Sequence, residues 1–98
     1  MKIVFNVGES EKPKLQDVLD EDPIARLSIS QKSSETIDVD AEGIFVMLDG
    51  DDEVCEQARE KLSEFGEELQ GTEKEEVIEA IEAAEKEAAE GFGSIFGG

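Results

Sequence analysis

Three short runs of carboxylates are the residues best able to do chemistry in this chain. Asp17, Asp20, Glu21 and Asp22 form the first; Asp38, Asp40 and Glu42 the second; Asp49, Asp51, Asp52 and Glu53 the third. Hard cations take roughly six to eight oxygen ligands, which clustered carboxylates can supply. Asp38, Asp40, Glu42, Asp49, Asp51 and Asp52 are therefore the candidate ligands for a calcium or magnesium ion. The same residues also fit a solvated acidic surface whose members cap helices, and that reading is the simpler one. Cys55, the single cysteine, falls in the first turn of a predicted helix, where the dipole favours a thiolate. Four acidic neighbours oppose that charge, and the chain has no histidine to activate a nucleophile. A small, partly buried core residue is the better reading of Cys55. No glycine-rich phosphate loop, paired-cysteine motif or serine-hydrolase motif is present, so the residues point away from an enzyme.

The segment DVDAEGIFVMLD, Asp38 to Asp49, places carboxylates at its first, third, fifth and twelfth positions and Gly43 at its sixth. Over those twelve residues it resembles an EF-hand loop. That resemblance implies a helix on either side. The incoming stretch QKSSETI has no apolar stripe of helical period, and Asp49-Gly50 would break the outgoing helix. The segment is therefore read as a β-hairpin. Its turn is Asp40-Ala41-Glu42-Gly43, with Val39 facing Ile44 and Ile37 facing Val46. Ile37, Val39, Ile44, Val46 and Leu48 then share one side of the ribbon, and Thr36, Asp38, Phe45 and Met47 the other.

The remaining elements follow from period and punctuation. KIVFNV alternates, with Ile3, Phe5 and Val7 on one face of a first strand. Pro13 opens a short helix with Leu15, Val18 and Leu19 on its apolar edge, and Pro23 marks its exit. Leu27 and Ile29 mark a second strand, and Lys32, Ser33 and Ser34 a turn or bulge before ETIDV. Asp51 or Asp52 caps a helix with Val54, Ala58, Leu62, Phe65 and Leu69 on one face. Gly71 ends that segment, and Thr72 with Glu75 forms a capping box for a second helix carrying Val77, Ile81, Ala84 and Ala88. The short link predicts an antiparallel helical hairpin.

The expected fold class is α+β. A two-layer domain over residues 1–90 has a three- to four-stranded, mainly antiparallel sheet packed against a C-terminal helical hairpin. A glycine-rich tail, 91–98, follows. In that tail Phe92, Ile95 and Phe96 keep helical phase with Ala88, so they either close the core or form an anchor for a partner. The terminal Gly97-Gly98 pair resembles the ends of ubiquitin-like modifiers and sulfur carriers. In those families the last strand leads directly into the tail, whereas here two acidic helices precede it.

Charge narrows the function classes. There are 27 acidic residues against 9 basic ones, a net charge of −18, and the 38% hydrophobic content is enough to build a core. Such a surface repels nucleic-acid phosphates and anionic membranes. It attracts basic protein surfaces, and mimicry of nucleic acid is one version of that role. With no internal disulfide possible and no long apolar run, the chain reads as a cytoplasmic, non-enzymatic interaction domain. The alternative is a divalent-cation binder.

Overall fold

The structure, a computed structural model, describes residues 1–37, 39 and 41–97, and the side chains of those up to residue 86. Strand β1 (Lys2–Val7) is followed by a 3-10 turn at Glu9–Glu11 and helix α1 (Lys12–Leu19). A second 3-10 turn at Ile24–Arg26 leads to β2 (Ser28–Ser33) and β3 (Ile44–Asp49). Helix α2 (Asp52–Leu62), the short strand β4 (Gly66–Glu68) and helix α3 (Gly71–Gly97) complete the order. The four strands form one sheet in the order β2-β3-β1-β4, with each neighbouring pair antiparallel. The succession β1-α1-β2-β3-α2-β4 is a split βαβ, the ferredoxin-like arrangement. Helix α3 is an addition to it.

The alternation of β1 sets both faces of the sheet. Ile3, Phe5 and Val7 point to one side, where they meet Leu48, Val46 and Ile44 of β3 in register. Leu15, Val18 and Leu19 of α1 and Cys55, Ala58 and Leu62 of α2 cover that side. Phe5, Leu15, Val46, Leu48 and Leu62 are fully buried there. Each such side chain contributes roughly 1.5–3 kcal/mol by leaving water. Pro13 stands in the first turn of α1, where its missing N–H costs nothing. Asp51 caps α2, its carboxylate accepting from the backbone N–H groups of Glu53 and Val54 at 3.0 and 3.3 Å.

Val4, Phe45 and Met47 point to the opposite side. Val77 and Ile81 of α3 lie over them, together with Leu69 and Ile37. The sheet is thus covered on both faces, giving three layers where two were expected. Helices α2 and α3 do not form a hairpin on one face. Strand β4 intervenes, and the two helices serve opposite sides. The reason lies at Gly66. A Cβ there would stand 3.0 Å from a Val7 methyl and 3.2 Å from the Leu62 carbonyl oxygen. Only a bare backbone can come this close to β1, and it does so as a strand. The periodic stripe of Phe65 and Leu69 therefore leaves the helix. Arg59 ties α2 to the new edge, with Nε and Nη2 at 3.1 and 3.0 Å from one Glu68 carboxylate oxygen. That hydrogen bond is the first reason the guanidinium holds its proton above the ordinary range. Helix α3 begins at Gly71, and the Lys74 N–H bonds the Gln70 carbonyl at 3.4 Å. Thr72 is therefore inside the first turn rather than ahead of it.

The hairpin also differs from expectation. β3 pairs with β2, Ser33 opposite Ile44 and Ser28 opposite Asp49, and not with Thr36, Ile37 or Val39. The connection is the whole stretch 34–43. It closes with the Ser34 N–H bonding the Gly43 carbonyl at 2.9 Å. Gly43 has φ +105°, and a Cβ on it would lie 2.7 Å from the Val7 carbonyl oxygen, so glycine is required here on both counts. Ile37 and Val39 consequently leave the group expected of them. They pack with Phe45 and Met47 on the α3 side, while Ile44, Val46 and Leu48 face α1 and α2.

Candidate functional site

The register lines up Lys32, Phe45, Asn6 and Glu67 as one cross-strand row on the α3 side of the sheet. Asn6 donates from Nδ2 to the Glu42 carbonyl oxygen at 3.0 Å, which pins the end of the 34–43 loop to β1. That loop rises on one side of the row, and α3 on the other. Between them lies a groove of about 990 Å³. Its apolar lining includes Ile37, Val39, Ala41, Leu69, Val77 and Ala80, with Phe45 beneath and Ala83 and Ala84 at one end. The alanines project little, so Val39, Ala80 and Ala84 stay half-buried over a covered Phe45. Glu67, Glu73, Glu76 and Glu79 complete the wall. All four are exposed, and no basic side chain lines the groove among the described residues.

The distribution of ion pairs sharpens this. On α3, Glu82 meets Lys2 at 3.6 Å. Elsewhere Glu68 is held by Arg59, Glu21 by Lys61 at 2.6 Å, and Glu11 by Lys14 at 3.1 Å. Among the described residues none of the four rim glutamates makes an ion pair. The rim therefore carries unneutralised negative charge beside an apolar floor.

The residues expected to bind metal separate into two places. Asp38 and Asp40 lie outside the described residues. Glu42 sits exposed beside Gly43, at one end of β3. Asp49, Asp51 and Asp52 stand at the other end, about 20 Å away at the usual strand rise. Asp51 is committed to its cap, and Asp52 lies 3.2 Å from the N-terminal ammonium. Among the described residues no three His, Cys, Asp or Glu are placed to share a metal ion. The side chains of Phe92, Ile95 and Phe96 lie outside the described residues, although the α3 backbone runs through them. Gly98 lies outside them as well.

Cys55 sits in the first turn of α2 and is fully buried, as a core residue would be. Its thiol lies 3.5 Å from the Met1 carbonyl oxygen. Burial pushes its pKa up. The N-terminal ammonium opposes that shift, and the carboxylates of Asp49 and Asp52 add to it. A protonated thiol closed off from solvent is no nucleophile.

No family model, curated protein or solved structure matches the chain. The groove residues come from β1, the 34–43 loop, β3, β4 and α3, and no linear motif joins them. On the helix side, only Val77 and Ala84, members of the predicted apolar stripe, were visible in the sequence. The partner wall was not. Among the described residues no helix is long and apolar enough to cross a membrane. Helix α3 has the length, but glutamate recurs along it.

Proposed function

We propose that this protein is a non-enzymatic interaction domain whose acidic surface meets a basic surface on a partner protein. The supporting observation is where the charge sits. No charged or polar residue is buried among the described residues, so the excess of carboxylates faces solvent. Exposed charge of one sign steers an oppositely charged partner and speeds encounter. Direct binding of nucleic acid is disfavoured by the same charge. No observation among the described residues favours the divalent-cation reading over this one. Immobilised protein should retain basic proteins from a lysate at moderate ionic strength and release them as salt shortens the screening length. Recovery of no basic protein, or retention insensitive to salt, removes the proposal.

A further inference from the structure

We propose that the groove between α3 and the loop residues Thr36, Ile37, Val39 and Ala41 is the docking site, and that its occupant is a short cationic amphipathic segment of a partner protein. The inference rests on the acidic surface being a partner surface, and it names where and how the partner is held. An apolar anchor of the segment lies against the half-buried Val39, Ala80 and Ala84, while its Lys or Arg side chains reach Glu73 and Glu76.

Three observations carry it. The floor is apolar but not fully closed: Phe45 and Val77 are buried, whereas Val39, Ala80 and Ala84 are only half-buried. The volume, about 990 Å³, is at the upper end of ligand-sized pockets, suited to a short segment rather than a whole domain. Charge complementarity selects the occupant. The rim glutamates have no cationic partner among the described residues, although other glutamates of the molecule do. An anionic or purely apolar ligand would leave those carboxylates repelled or partly desolvated without compensation. A second copy would bring another net charge of −18 toward the same rim. A segment with basic residues around an apolar one satisfies both halves of the groove.

The test is an amide NMR titration of the full chain with two peptides, one with Lys and Arg flanking Leu and Phe, the other with Ser in place of Leu and Phe. The first should give saturable shifts centred on Asn6, Phe45, Val77 and Ala80. The second should bind about tenfold more weakly, the equivalent of about 1.4 kcal/mol. The double variant Glu73→Gln/Glu76→Gln should weaken the first peptide severalfold. The charge-matched double Glu53→Gln/Glu60→Gln, on α2, should not. Equal binding of both peptides with diffuse shifts, or equal effects of the two double variants, overturns the groove and leaves the basic-partner reading standing. Binding of neither peptide removes both. Groove shifts that appear with protein concentration alone identify a second copy as the occupant and overturn the inference.

Discussion

Cys55 shows how one position couples the chain's start to its second helix. The thiol is enclosed by β1, the Met1 carbonyl and the first turn of α2. Its folded pKa is raised, chiefly by burial, so the folded state holds this proton to higher pH than the unfolded chain does. The resulting stabilisation is fully present below about pH 8.5, the ordinary value for the thiol, and is lost as pH rises through the folded value. Denaturant unfolding between about pH 8 and pH 10 should therefore show stability falling for the wild type. Cys55→Ala should show a flatter fall, whatever its absolute stability. Parallel slopes for the two would exclude the thiol as the cause. The core role of Cys55 was legible from its helix position and acidic neighbours. Its contact with Met1 was not, because residues this far apart in sequence are joined only by the finished sheet.

At the scale of elements, the fully described part of α3 is seated chiefly by two side chains. Ile81 is fully buried and Val77 nearly so, against Val4 and Met47. Ile81→Ala should cost about 2–5 kcal/mol in urea unfolding. Glu85→Ala, on the exposed side, should stay within about 0.5 kcal/mol. A negligible effect of Ile81→Ala would mean that α3 does not cover this face.

The alternation of β1 and the short α1 after Pro13 were readable because each has one clear period and a clean boundary. β3 misled because it is buried on both sides. Ile44, Val46 and Leu48 satisfy one core, and Phe45 and Met47 the other, so periodicity could not say which neighbour it paired with. The near stretch Ile37-Asp38-Val39 has the right period over three residues. The true partner, Ser28–Ser33, is an edge strand of mostly polar residues and advertises itself poorly. The α2 stripe failed at Phe65 and Leu69 for a related reason. Their spacing is helical, but the bare backbone at Gly66 is worth more against β1 than another turn of helix. The groove was illegible because the sheet assembles its walls from segments far apart in the chain.

At the scale of the whole molecule, the charge dominates. The described residues hold only seven salt-bridge contacts, one of them made by the N-terminus and two by Arg59. Most of the 27 carboxylates therefore repel one another across the surface. Raising sodium chloride from about 10 mM to about 1 M shortens the screening length from about 30 Å to about 3 Å. The midpoint of thermal unfolding should rise by several degrees over that range. A flat or falling midpoint would show that the excess negative charge costs the folded state nothing.

β1 and β3 each lend alternate side chains to two separate oily layers. Separating β1 from β3 opens both layers at once, since both are built on the same pair of ribbons. A segment bound in the groove would therefore also brace α1 and α2 on the far side, without touching them, by raising the cost of opening the strands they share.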